Sequence, residues 1–119
     1  MRKNLFIMNS NWFNGIPIAI TVSDNEGNIV EMNDASAKVF EKYGGRDLYG
    51  KPLNDCHNSA SVSIMSRLLN EGVTNAYTIE KNGVKKMIFQ SPWYKDGVAS
   101  GLIEFSFVIP ADMPHFIRG

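Results

Sequence analysis

The sequence predicts a single α+β domain whose elements run β-β-α-β-β-β. Three breaks in the apolar pattern carry that prediction. Asp24-Asn25-Glu26-Gly27 separates the runs Ile18–Val22 and Ile29–Met32, Asn82-Gly83 separates Ala76–Ile79 from Met87–Phe89, and Asp96-Gly97 separates that run from Leu102–Ile109. Asn-Gly and Asp-Gly supply the positive φ angles that tight hairpin turns need, so each break reads as an antiparallel β-hairpin. Helix and loop fill the stretch between the first hairpin and the other two. A chain of 119 residues is long enough for one core.

Taken in order, Leu5, Met8 and Trp12 share one face at helical spacing, which predicts a short amphipathic helix ended by Gly15 and Pro17. Residues 1–15 are read as this helix, a cap or dimerisation element; 16–110 form the domain, and 111–119 a C-terminal tail. Ile18, Ile20 and Val22 alternate with Ala19, Thr21 and Ser23, the pattern of a half-buried strand. Asn33 is placed to cap a helix starting at Asp34, whose charge suits a helix N-terminus. That helix should bring Ala35, Val39 and Phe40 to one side and stop before Gly44-Gly45. Arg46 to Asn58 reads as loop with a single helical turn, and Val62, Met65, Leu68 and Leu69 then mark a second amphipathic helix closed by Gly72.

Counting outward from two-residue loops at Asn82-Gly83 and Asp96-Gly97 sets a register for the last three strands. Tyr77 then pairs with Ile88 and Ile88 with Phe105, and Ile79, Gln90, Ile103 and Phe107 share their face. The other face carries Ala76, Thr78, Met87, Phe89, Leu102, Glu104, Ser106 and Val108. Both faces are largely apolar, so neither is left to water. One should meet the central helices, and the other needs the N-terminal helix or a second chain.

Composition narrows the function. Twelve Lys and Arg balance twelve Asp and Glu, so no bulk charge draws the chain to nucleic acid or an anionic membrane. The lone cysteine, Cys56, excludes an internal disulfide and a Cys₄ or Cys₂His₂ zinc site, and fits a reducing compartment. Leu5–Met8 is too short for a signal sequence, and Glu104 and Ser106 break the longest late apolar run, so a soluble cytoplasmic protein is expected. Nucleophile elbow, phosphate loop and His-Glu-x-x-His patterns are absent, and His57 and His115 lie far apart in sequence; an enzyme is not expected.

From Ile16 to Ile109 the chain resembles a PAS domain. The matching segments are Ile20-Thr21-Val22-Ser23-Asp24-x-x-Gly27, Ile29-Val30-x-Met32-Asn33 leading into a helix, Ser91-Pro92-Trp93-Tyr94-x-Asp96-Gly97 and Gly101-Leu102-Ile103-Glu104. It also looks like small bacterial or archaeal PAS proteins with Asp-Cys-His before the long helix, here Asp55-Cys56-His57, and a Pro-His-Phe tail, here Pro114-His115-Phe116. The resemblance implies a five-stranded antiparallel sheet in the order 2-1-5-4-3, with helices packed over one face and a cavity beneath the long helix. It implies that Tyr77, Ile79, Ile88, Gln90, Ile103 and Phe105 look into that cavity, beside Met65. PAS domains are sensory and interaction modules, so an unidentified small-molecule ligand, a homodimer through Leu5, Met8 and Trp12, and a signalling partner protein are the implied partners. Fold alone does not fix function.

Three local chemistries follow from the same residues. In a b-type haem reading His57 is the axial metal ligand, with Met65 or Cys56 near the iron; in the plainer one His57 hydrogen-bonds the loop before the helix. Flavin photochemistry is disfavoured, because Asp55-Cys56-His57-Asn58-Ser59 departs from the Asn-Cys-Arg-Phe-Leu-Gln motif of photosensory PAS domains. Gln90, expected inside, needs a partner such as Tyr77, a backbone group, water or ligand, since an unpaired buried amide costs about 1–3 kcal/mol. Glu104 is expected on the outer face. A ligand-free module working by dimerisation alone is the competing functional reading.

Overall fold

The computed structural model describes residues 11–52 and 59–119, the side chains of 59–62 excepted. A short helix α1 (Asn11–Gly15) leads into β1 (Ala19–Ser23) and β2 (Ile29–Met32). Next come α2 (Asp34–Val39), the 3₁₀ turns Glu41–Tyr43 and Gly45–Leu48, and the long helix α3 (Ser59–Glu71). The chain ends in β3 (Asn75–Lys81), β4 (Val84–Lys95) and β5 (Val98–Ile109), followed by a tail without regular structure. The strands form one antiparallel sheet in the order β2-β1-β5-β4-β3, as the resemblance implied.

Local chemistry accounts for the turns. Asn82 (φ 53) and Gly83 (φ 78), like Asp96 (φ 53) and Gly97 (φ 79), sit in the left-handed region that two-residue hairpins require. The β1–β2 loop is held by the Asp24 carboxylate, whose Oδ1 accepts from the backbone N–H groups of Glu26 and Asn28, each at 2.9 Å. Asn33 caps α2 as its sequence position predicted, its Oδ1 accepting from the Ser36 N–H at 3.0 Å. The buried member of α2 is Ser36, whose hydroxyl meets that of Thr21 at 2.5 Å. Of the residues expected on one side of this helix, Phe40 packs against the core, but Val39, where the helix ends, is exposed.

One bulge decides which side chains face which way. Trp93 pairs with Gly101 but Tyr94 with Ala99, so Ser100 is an extra residue on β5. Tyr77 does pair with Ile88, but Ile88 pairs with Ser106, Phe89 with Phe105 and Gln90 with Glu104. The expected match of Ile88 with Phe105 was off by one residue, because counting from the turn ignored Ser100. The inner face, beneath the helices, therefore carries Thr21, Ser23, Ile88, Gln90, Leu102, Glu104 and Ser106, whereas Ile103, Phe105 and Phe107 join Phe89 in the outer rows. Glu104, expected outside, is inside.

Gly101 makes the bulge possible. Its φ is +153°, and a Cβ there would stand 1.8 Å from the Ser23 carbonyl oxygen. The Trp93 indole N–H donates to that same oxygen at 3.0 Å, and the Ser23 hydroxyl accepts from the Leu102 N–H at 3.3 Å. Two clusters then fill the space under the helices: Met65 and Leu68 of α3 against Leu102, with Leu69 beside them, and Ile29, Met32 and Leu48 with Phe40. Each such side chain taken from water contributes about 1.5–3 kcal/mol. Among the described residues no helix is long and apolar enough to cross a membrane.

Candidate functional site

The inner face of β3, β4 and β5 carries a row of polar side chains at adjacent register positions. Asn75 Nδ2 donates to Gln90 Oε1 at 3.0 Å, and Gln90 Nε2 donates to Glu104 Oε2 at 2.8 Å. The direction is forced: a carboxylate only accepts, so Gln90 turns its amino group to Glu104 and leaves its carbonyl for Asn75. Gln90 is 5% exposed, and this pairing removes the desolvation cost its amide would otherwise carry. Gln90 is expected inside from its strand position, but its partners are hidden in the pattern, since Asn75 sits at a strand start and the Ser100 bulge moves Glu104 to the inner face.

Two spaces flank this row. Behind it lies a cavity of about 20 Å³ bordered by Thr21, Ser23, Met65, Gln90, Leu102, Ile103 and Glu104; that is room for about one water molecule. In front of it, an open cleft of about 400 Å³ is lined by Ile64 of α3, Asn75, Tyr77 and Gln90. Gln90 borders both. No Lys, Arg or His lines either space among the described residues. The Tyr77 hydroxyl is pushed above its ordinary pKa, first by burial and then by the nearby Glu104 charge, so the phenol stays protonated and able to donate.

The predicted site residues divide accordingly. Gln90, Ile88, Tyr77 and Met65 lie on or over the inner face, with Gln90 and Tyr77 at the cleft and Met65 at the cavity. Ile79 pairs with Lys86 farther along β3 and is exposed. Ile103 borders the cavity although the register assigns it to the outer row. Phe105 is outside altogether, its ring 6.4 Å from that of Phe89. Cys56, His57, Leu5 and Met8 lie outside the described residues. Trp12 is exposed and meets Phe13 edge-on at 5.8 Å. Of the haem candidates only Met65 is described, and it packs against Leu68 and Leu102 beside a space too small for a macrocycle. Among the described residues no three His, Cys, Asp or Glu side chains gather to hold a metal ion.

A second polar centre ties the N-terminal segment to the domain. Asn33 is fully buried and uses all its capacity: it accepts from the N–H groups of Ile20 and Ser36 and donates to the carbonyls of Phe13 and Ile18, at 2.7–3.0 Å. Arg46 reaches the Met32 carbonyl at 2.6 Å and Asn14 Oδ1 at 3.2 Å, and pairs with Asp34. The sequence marked Asn33 as a cap; its hold on α1 through Phe13, and the whole role of Arg46, had no pattern to reveal them.

No family model and no curated protein matches the sequence. Solved structures do match. A PAS domain from Colwellia psychrerythraea is 20% identical, with a TM-score of 0.62 over 88% of this chain and 97% of that one. The PAS domain of the histidine kinase ThkA is 19% identical, with a TM-score of 0.63 over 77% of this chain and 99% of that one. VqmA, a Vibrio cholerae protein, is 15% identical in its structure bound to DPO, with a TM-score of 0.66 over 87% of this chain and 57% of that one. At these identities the likeness establishes the fold, and the fold is that of a PAS domain.

Proposed function

We propose that this chain is a sensory or regulatory PAS module that binds a small molecule in the cleft between α3 and β3–β4. The observation that carries this reading is the cleft of about 400 Å³ between Ile64 and Tyr77, ending on the paired amides of Asn75 and Gln90. An apolar and aromatic wall with a few convergent polar groups is the usual make-up of a small-molecule site. Support by analogy comes from the neighbours, which include a histidine-kinase PAS domain and VqmA bound to DPO.

The output follows from how α3 is seated. Its Ile64 lines the cleft while Met65 and Leu68 pack on the sheet, so a ligand that pushes on Ile64 changes how α3 meets Leu102. The ligand must bind the two arrangements with different affinity, or nothing is signalled. The receiving surface in this reading is the outer sheet face with Phe89 and Phe105, together with the exposed Trp12 of α1, used in a homodimer or against a partner protein. The chain is not proposed to be an enzyme. A ligand-free dimerisation module is the second reading, and the cavity of only about 20 Å³ favours it.

The test is an NMR screen of the ¹⁵N-labelled protein against a fragment library containing amines, neutral molecules and carboxylates, with the side-chain amides of Asn75 and Gln90 as reporters. Fragments that shift both amides support the sensing reading. A library that shifts neither sinks it and leaves the dimerisation module.

A further inference from the structure

Resting on that sensing reading, we propose that the cleft selects a small amine carrying an apolar ring, whose N–H group takes Gln90's place as donor to the Glu104 carboxylate. Among the described residues Glu104 is the one carboxylate bordering either space and no cation pairs with it; the ion pair present is that of Arg46 with Asp34, elsewhere in the fold. Its partner is a neutral amide, which supplies a hydrogen bond but no compensating charge. A half-buried carboxylate that an amide meets and, among the described residues, no cation does is a ready counter-group for a cation or a strong N–H donor. It is equally a barrier to anions, since like charges in a partly desolvated site repel.

The geometry of Gln90 tells how such a ligand would arrive. Gln90 lines both cleft and cavity, and its Nε2 holds the donor position on Glu104 that an entering amine would claim. Swinging that side chain away bares Glu104 to the cleft. The exchange replaces a neutral donor on Glu104 with a charged one. Tyr77 and Ile64 then flank the ligand's ring.

Tryptamine, its neutral isostere tryptophol and the anionic indole-3-acetate provide the test, titrated by NMR against the native protein and Glu104→Gln. The variant keeps the shape of the side chain and an acceptor for Gln90, and a thermal melt within a few degrees of the native one establishes that it is folded. The expected order is tryptamine tighter than tryptophol by at least tenfold, indole-3-acetate weakest, and the tryptamine advantage lost in Glu104→Gln while tryptophol is unaffected. Equal binding of the three, tighter binding of indole-3-acetate, or an amine preference that survives Glu104→Gln overturns the proposal. If library fragments shift Asn75 and Gln90 but show no preference for amines, only this inference fails; if nothing shifts them, the sensing reading fails with it.

Discussion

Replacing Gly101 by Ala tests the feature on which the site's register depends. A methyl group on residue 101 would lie 1.8 Å from the Ser23 carbonyl oxygen, 2.7 Å from its carbon and 2.8 Å from the Trp93 indole nitrogen. The first two are backbone, so the strands must part. Overpacking of this kind costs about 1–3 kcal/mol, and parting the strands also breaks the Trp93 bond to Ser23, worth about 1 kcal/mol. About 3 kcal/mol is therefore expected, a fall in Tm of roughly 12 °C for a domain of this size. Gly83→Ala is the control: its φ of +78° is equally unsuited to alanine, but open space surrounds it, so the left-handed backbone alone should cost about 1–2 kcal/mol. Paired thermal and urea melts of the two variants give the answer. If Gly101→Ala melts within about 2 °C of Gly83→Ala, close approach of β5 to Ser23 is not what fixes the bulge, and the reasoning fails.

Other outcomes are expected from single substitutions. Asn33→Ala removes a helix cap and leaves the buried N–H of Ile20 unpaired, a loss of about 3 kcal/mol in a urea melt. Asn33→Asp keeps the acceptor but sets a carboxylate against the Phe13 and Ile18 carbonyls, so it should not rescue; full rescue would reduce Asn33 to a cap. Because Tyr77 has its pKa raised, it binds its proton more tightly folded than unfolded. Its contribution to stability is full below pH 10 and is lost as pH rises through the folded value. Absorbance titration should show one of the four tyrosines ionising late, a step missing in Tyr77→Phe and moved earlier in Glu104→Gln. If the proposed homodimer uses Trp12, light scattering should give a dimer mass for the native protein and a mass nearer the monomer for Trp12→Ala; the same mass in both would remove Trp12 from that proposal.

How much of this was legible in the sequence depended on how local each determinant is. Asn82-Gly83 and Asp96-Gly97 encode their turns in adjacent residues, and Asn33 encodes its cap three residues from its partner Ser36. Those expectations hold in the structure. The C-terminal end of α3 is similarly visible, Gly72 closing it with an N–H bond to the Leu68 carbonyl at 2.9 Å, whereas the helix begins at Ser59, two residues before the Ser61 its pattern suggests. Val39 was misplaced because an apolar residue at helical spacing was taken as core, whereas the buried position went to Ser36, whose hydroxyl finds Thr21 across the interface. That bond links residues brought together only by folding, and no periodicity announces it.

The most consequential miss was a single residue. Alternation along a strand has period two, so the extra Ser100 exchanges every side chain of β5 downstream of it between faces. Without the bulge the inner face would show Ile103 and Phe105, an apolar wall suited to a dry core. With it, that face shows Leu102, Glu104 and Ser106, and a carboxylate stands beside Gln90. The sequence did hold a sign of this, since a lone glycine within an apolar strand pattern marks a bulge or a close backbone approach, and Gly101 is both. The chemistry of the candidate site thus turns on Gly101 and Ser100, residues that border neither the cavity nor the cleft. Which side chains line the candidate site is set by strand register before it is set by any contact with a ligand.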